Sequence, residues 1–364
     1  MSKRYIVIMA GGNGERFWPQ SRHDRPKHLL PIAGGTSMLA QTLARLGTVV
    51  PPENIRIITR RDQCSAVLEA CPTLKPAQVT GEPVGRDTAA AVALATLLIG
   101  REDPDASLAL LPADALIHDA DGFRKTLTAA FAVAEDRAGD NLVTIGIPPV
   151  SPATGYGYIH RGAPAGPAHG HAVFQVRRFV EKPDAATAQT YLESGGYFWN
   201  AGMFVWKVTA IRRAFEKHEP EVWNGILALG ARLDAGERLD VAMDAVYPAL
   251  KKISIDYAVL EKADNVLCLP AAFDWDDAGE WSALARHEEK DASGNVRLGE
   301  TSVLDAGNNI IVSSDGHLIA ALGVEDLIIV HTADATLVCP KHRAQEIKKL
   351  VRQIAERNDG ARFV

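Results

Sequence analysis

The sequence predicts an α/β protein in which helices cover both faces of a mostly parallel sheet, with a small β-rich unit after it. Three observations point there. Short apolar and β-branched runs alternate with helical patterns over the first part of the chain. Glycine-rich and acidic turns fall where those runs end. Past about residue 290 the helical patterns give way to short strand-like runs. Such alternation implies βαβ units in a Rossmann-like arrangement, with functional loops at the carboxyl ends of the strands.

Taken in order, Tyr5–Ala10 is the first strand, and a helix follows near Ser37–Leu46. A β-branched strand over Ile55–Thr59 leads to a helix over Asp62–Ala70. From about Asp87 to Ile99 an unbroken Ala/Val/Leu face marks a helix, and Ser107–Leu111 is a buried strand. Between Thr154 and Lys207 aromatics and glycine increase, with strand-like runs at Val173–Val180 and Gly202–Trp206. That stretch reads as an inserted half packed on the same sheet. Helical patterns dominate from Arg212 to Leu260. The polar segment Lys290–Gly299 reads as a linker, dividing the chain into units 1–289 and 290–364. Short strands at Asn309–Val312, His317–Ala320, Leu327–His331 and Thr336–Val338 precede an amphipathic helix from about His342. In that helix Ile347, Leu350, Val351 and Ile354 recur at helical spacing. These strands are too few and irregular to establish a repeat solenoid.

Composition bounds the function. With 364 residues, 47% hydrophobic and 23% charged, the chain is an ordinary globular protein of about two domains. A formal charge of −6 argues against a nucleic-acid-binding surface. The four cysteines form no Cys-x-x-Cys pair, so they read as reduced thiols rather than a zinc site. No run approaches the roughly 18 apolar residues needed to span a bilayer, and Tyr5–Ala10 is too short for a signal peptide. A cytoplasmic protein with no membrane partner is the expectation.

The first strand runs into Gly11-Gly12-Asn13-Gly14-Glu15-Arg16, with Trp18-Pro19, Ser21-Arg22 and Pro26-Lys27 close behind. Glycines there let backbone N–H groups approach a ligand, and Arg16 and Lys27 add two positive charges. This is a device for holding a polyphosphate. It is not a Walker A loop, which needs Gly-Lys-Ser/Thr, nor a dinucleotide fingerprint, whose third glycine is Phe17 here. Asp114 closes Leu110-Leu111-Pro112-Ala113-Asp114 just past a buried strand, and Phe273–Trp281 supplies Asp274, Asp276 and Asp277 beside Gly279. Carboxylates brought together from separate loops repel unless a cation lies between them, and magnesium uses one or two of them with phosphate oxygens and water. The plainer alternative is a helix cap at Asp114 and a tightened turn at Asp277. In Phe179-Val180-Glu181-Lys182-Pro183, Glu181 can accept from sugar hydroxyls and Lys182 can meet a phosphate, unless the pair is simply exposed before a turn.

In full, these segments resemble the nucleoside-diphosphate-sugar pyrophosphorylases, and the Trp-Pro, Ser-Arg and Pro-Lys elements look like their mannose-1-phosphate guanylyltransferase branch. The resemblance runs in the family's order from Ile6 to Trp281, with Leu337–Lys341 also similar. It implies GMP transfer from GTP to mannose 1-phosphate, with Mg2+ as cofactor and a homodimer through the C-terminal region. By the same resemblance Arg16, Lys27 and Lys182 are catalytic, and Asp114 and Asp277 bind the metal, with Asp274 and Asp276 as competitors. Gly11, Gly12, Gly14, Glu82, Arg86, Asp87 and Thr88 fall on the nucleotide side. Gly155, Glu181, Lys182, Asn200 and Asp256 fall on the sugar-phosphate side. The chain departs from the family pattern at Ala115, Asp87 and Ala90. Asp87 either reads guanine or caps the following helix. An isomerase domain, found after this one in many relatives, is not expected within 364 residues. Two other readings stay open: a nucleotidyltransferase for another sugar phosphate such as a heptose, and a non-catalytic regulator that binds GDP-mannose.

Overall fold

The first strand, β1 (Arg4–Ala10), shows how the sheet is built. Tyr5 and Val7 enter one hydrophobic core, whereas Ile6, Ile8 and Ala10 enter a second core on the opposite face. Side chains alternate across a strand, so a strand buried on both sides reads as one continuous apolar run. The computed structural model describes residues 3–33, 35–136 and 140–364.

The remaining strands of this sheet are β2 (Ile55–Arg60), β3 (Val79–Glu82), β4 (Ser107–Pro112), β5 (Leu142–Ile147), β6 (Tyr158–Ala168), β7 (His171–Val180), β8 (Tyr197–Lys207) and β9 (Val266–Pro270). Among the described residues they lie in the order β3-β2-β1-β4-β8-β5-β9-β7-β6. Helices α1 (Met38–Leu46), α2 (Cys64–Ala70), α3 (Asp87–Glu102), α4 (Ala120–Ala134), α5 (Ala185–Ser194), α6 (Val208–His218), α7 (Pro220–Asp234) and α8 (Leu239–Val246) cover it. The buried apolar side chains of α3, α6, α7 and α8 pack on the Tyr5/Val7 face, and those of α1 (other than Met38), α2, α4 and α5 on the other. Local chemistry sets the helix starts: Ser37, Asp119 and Asp184 each accept a backbone N–H of the first turn of α1, α4 and α5.

The α/β class is as expected, but the sheet is mixed rather than mostly parallel. Strands β3, β2, β1 and β4 are parallel neighbours, as are β5 and β9. Strand β8 enters antiparallel between β4 and β5, and β6 and β7 are antiparallel as well. The run read as Gly202–Trp206 is the second half of this long strand. The chain steps outward from β1 to β3 and then returns to β4 beside β1. Ligand sites favour such a switch point, at the carboxyl ends of the strands.

Past α9 (Leu284–His287) come β10 (Val296–Leu298), β11 (Thr301–Leu304), β12 (Ile310–Ser313), β13 (Ile319–Leu322), β14 (Leu327–His331), β15 (Thr336–Pro340) and α10 (Ile347–Ala355). Here β10, β12 and β14 stack in parallel, and so do β11 and β13. These are the rungs of a short solenoid, which the sequence had not established. Two fully buried asparagines bind its turns: Asn309 Nδ2 donates to Asn295 Oδ1 at 3.0 Å, and Leu327 N donates to Asn309 Oδ1 at 2.9 Å. A third core joins this unit to the glycine-rich loop, with Phe17, Trp18 and Trp281 packed among Val296, Ile310, Ile328, Ile347 and Val351. Trp18 Nε1 donates to the Phe363 carbonyl at 2.7 Å, and Trp281 Nε1 to the Trp18 carbonyl at 2.9 Å. Among the described residues no helix is long and apolar enough to cross a membrane.

Candidate active site

A cavity of about 650 Å³ opens at the carboxyl edge of the sheet. Nine of the residues singled out in the sequence line it: Gly14, Arg16, Lys27, Asp114, Gly155, Glu181, Lys182, Asn200 and Asp277. They arrive from the loop after β1, the loop after β4, the β5–β6 connection, the end of β7, the start of β8 and the segment after β9.

Gly14 is the glycine that the loop cannot do without. Its φ is +66°, and a Cβ there would lie 2.2 Å from the Lys27 Cβ. Any side chain would meet both backbone strain and a direct clash. Lys27 is only 6% exposed, and its ammonium donates to Asp114 Oδ2 and the Asp114 carbonyl, each at 2.9 Å, and to the Asp277 carbonyl at 2.5 Å. Its three hydrogens thereby tie the two acidic loops together. Burial alone would raise the Asp114 carboxyl, but the Lys27 ammonium prevails and holds it below the usual carboxylate range. Arg16 has no hydrogen bond or ion pair among the described residues, and its buried Nε is unpartnered.

The structure separates the three competing aspartates. Asp274 accepts from the His118 and Asp119 backbone N–H groups and from the His118 ring. Asp276 is held by Arg286, by His287 and by the Ala278 N–H. Only Asp277 of the three lines the cavity. Its Oδ1 accepts from the Tyr156 hydroxyl at 2.8 Å. Burial, reinforced by the Asp277 charge, pushes the Tyr156 hydroxyl far up, so it stays a donor at neutral pH. The Tyr156 ring stands edge-on to Trp199 and Trp275, with centroids 5.0 and 5.4 Å away.

Just past β7, Lys182 pairs with Glu181 and has φ +40°, a left-handed conformation that a lysine rarely adopts. Gly157 lies close beside them: a Cβ there would sit 2.9 Å from Glu181 Oε2, which the flexible Glu181 side chain could accommodate by shifting. Asn200 donates through Nδ2 to Asp256 Oδ1 at 2.6 Å, and its backbone N–H to the Gly157 carbonyl at 2.8 Å. Asp256 therefore stands behind Asn200 rather than in the cavity wall. Burial, with Glu181 and Asp87 nearby, holds its carboxyl above the usual range despite the Asn200 bond.

Several residues expected on the nucleotide side do not line this cavity. Gly11 and Gly12 are exposed, with open space where a Cβ would lie. Glu82 is buried and accepts from the Tyr247 hydroxyl. Thr88 Oγ1 accepts from the Ile255 N–H at 2.8 Å, so it braces α3 from within. Arg86, not Asp87, occupies the N-cap position of α3. Asp87 has φ +65°, and its carboxylate accepts from the next N–H, that of Thr88, at 2.7 Å. The expected N-cap is thus displaced by one residue. Further cavity side chains were assigned no role from sequence, among them Tyr156, Trp275 inside the Phe273–Trp281 segment, and Lys348 of α10, for which no motif gave a signal.

Among the described residues no group of three or more His, Cys, Asp or Glu side chains is arranged for a metal ion. Two carboxylates on one cavity wall are nonetheless a donor set suited to magnesium, which takes its other oxygens from phosphates and water. Zinc or iron would require more protein ligands.

A family model described as nucleotidyl transferase matches residues 5–294, and one described as MannoseP isomerase/GMP-like beta-helix domain matches residues 299–354. A xanthan biosynthesis protein, XanB, of Xanthomonas campestris pv. campestris is 39% identical over 358 residues, covering 97% of this chain and 74% of that protein. A mannose-1-phosphate guanylyltransferase of Escherichia coli is 39% identical over 347 residues, covering 95% and 72%. A crystal structure from Thermus thermophilus, described as a mannose-1-phosphate geranyltransferase, superposes with a TM-score of 0.84 at 37% identity, covering 97% of this chain and 99% of that one.

Proposed function

The chain belongs to the nucleotidyl transferase family, and from that premise we propose that it transfers GMP from GTP to mannose 1-phosphate, releasing pyrophosphate. The observation that carries this reading is the convergence of Arg16, Lys27, Asp114, Lys182 and Asp277, spread over more than half the chain, on one cavity. A regulator that only bound GDP-mannose would have no need of all five. The choice of GTP and mannose rests on the relatives named as mannose-1-phosphate guanylyltransferases.

In the reaction an oxygen of the sugar phosphate attacks the α-phosphorus of GTP, and the bond from that phosphorus to the α–β bridging oxygen breaks. Pyrophosphate leaves with that electron pair. The nucleophile is already mostly dianionic near neutral pH, its second pKa being about 6, so no general base is needed. The protein's task is to hold two anions together and in line. Glu181 and Asn200 hold the sugar hydroxyls, and Lys182 draws in the sugar phosphate. Arg16, with no side-chain hydrogen bond or ion pair among the described residues, takes up charge on the triphosphate. Lys27 holds the Asp114 and Asp277 loops at a fixed spacing. Asp114 and Asp277 would hold Mg2+, whose charge would offset that of the phosphate oxygens when bound. Tyr156 keeps Asp277 pointed into the cavity.

The test is pyrophosphate release with magnesium for GTP, ATP, UTP and dTTP, each with mannose 1-phosphate, glucose 1-phosphate and a heptose 1-phosphate. Turnover confined to GTP with mannose 1-phosphate is expected. Preference for another pair would keep the chemistry and replace the substrates. Tight GDP-mannose binding without any turnover would favour the regulator.

A further inference from the structure

We infer that Lys348, on the C-terminal helix, is a phosphate-binding residue of the active site and engages the β- and γ-phosphates of the nucleotide. The inference rests on the nucleotidyl-transfer reading above and adds a residue that no motif marks. Among the described residues four cations line the cavity: Arg16, Lys27, Lys182 and Lys348. Two are already engaged. Lys27 donates to three protein oxygens, and Lys182 pairs with Glu181. Arg16 and Lys348 have no hydrogen bond or ion pair among the described residues. Lys348 is half-buried, and an ammonium with no protein partner in a cavity is a site for an anionic oxygen.

The lining also carries four carboxylates, which the four cations balance only if Lys348 is counted. A triphosphate entering a cavity of net negative charge would be repelled; Lys348 brings the wall to neutrality before any metal ion is added. Its position is fixed by packing. The neighbouring Ile347 and nearby Val351 are buried in the core that contains Phe17 and Trp18, so α10 lies against the Glu15–Phe17 turn. Lys348 therefore reaches the cavity from the helix packed against the turn that carries Arg16. On the transfer reading Arg16 takes up charge on the triphosphate, so Lys348, on the helix packed against the Arg16 turn, is placed for its β- and γ-phosphates. The β-rich unit thus completes the phosphate site.

The test uses the full chain with Lys348→Ala, Lys348→Met, which keeps the apolar stem, and Lys348→Arg. Lys349→Ala is the control, since Lys349 is exposed and paired with Glu346 at 3.7 Å. Expected is a rise of about tenfold or more in the KM for GTP in the Ala and Met variants, as for loss of one charged hydrogen bond. The KM for mannose 1-phosphate and the thermal midpoint stay unchanged, and Lys348→Arg recovers most of the loss. An unaltered GTP KM in both neutral variants, or an equal loss in Lys349→Ala, would overturn the assignment. If the wild-type chain released no pyrophosphate, the transfer reading would fail by itself. The GTP Kd of the same variants, measured by titration calorimetry, would then still decide whether Lys348 binds phosphate: weaker binding supports it and equal binding refutes it.

Discussion

At the scale of single residues, Lys27 is the side chain on which the site depends most, because its one ammonium joins two loops far apart in sequence. Lys27→Ala leaves the Asp114 carboxylate without its partner and frees both loops. The expected loss in kcat is about a hundredfold or more, by analogy with removing one preorganised charge-stabilising donor. Steady-state kinetics at saturating substrate measures it, and an unchanged kcat would remove Lys27 from the mechanism. Glu82 gives a prediction about pH. Burial pushes its carboxyl up to about 7, against the Tyr247 hydrogen bond and with help from the Asp87 charge. The folded chain then binds a proton that the unfolded chain releases near the ordinary value of 4.5. Its contribution to stability is full below that value and declines as pH rises toward about 7. Glu82→Gln removes the titration, so between pH 5 and 7 the wild type should lose stability relative to the variant, by up to about 3 kcal/mol. Denaturant midpoints at several pH values test this, and parallel curves would contradict it. Asp277 shows the limit of what a sequence discloses at this scale. Three aspartates within four positions look alike as letters. What separates them is that Asp274 and Asp276 are paired with His118, Arg286 and His287, whereas Asp277 lines the cavity with a tyrosine hydroxyl as its side-chain partner, and those pairings are fixed only by the fold.

At the scale of elements, the loop after β1 was legible in part: Gly14, Arg16 and Lys27 line the cavity, whereas Gly11 and Gly12 do not. Its strictest position is Gly14, where positive φ and the Lys27 Cβ both exclude a side chain. Gly14→Ala should destabilise the fold by roughly 1–3 kcal/mol. It should also reduce kcat more than a comparable change at Gly12, where a Cβ meets open space. Equal effects at the two positions would show that the loop relaxes freely. The β8 strand and the C-terminal solenoid were harder to read. Strand β8 is buried on both faces, so its aromatic-rich run carries no mark of direction, and only its neighbours β4 and β5 make it antiparallel. In the solenoid, Val296 lies opposite Ile310 and Ile310 opposite Ile328, offsets of 14 and 18 residues. Unequal rungs hide a repeat from any search at fixed period, although the buried Asn295 and Asn309 mark it once the coil is seen.

For the whole molecule, the consequential feature is that the β-rich unit shares a core with the catalytic loop. The expected division between residues 289 and 290 separates segments joined through Trp18, Trp281, Ile347 and Val351. Calorimetry should therefore show one cooperative unfolding transition. Two well-separated transitions would mean that the units stand independently. Removing residues 341–364 should abolish turnover as well as lower the midpoint, because Phe363 and α10 brace the Trp18 loop. A truncated chain with wild-type kcat would show that the brace is dispensable. The central claim is more direct than either: that this cavity joins the α-phosphate of GTP to mannose 1-phosphate. GTP carrying a radiolabel at the α-phosphorus, incubated with mannose 1-phosphate, magnesium and the full chain, tests it in one step. The account predicts label in GDP-mannose and unlabelled pyrophosphate in equal amount; label confined to GTP, or released as GMP or GDP without sugar, would contradict it.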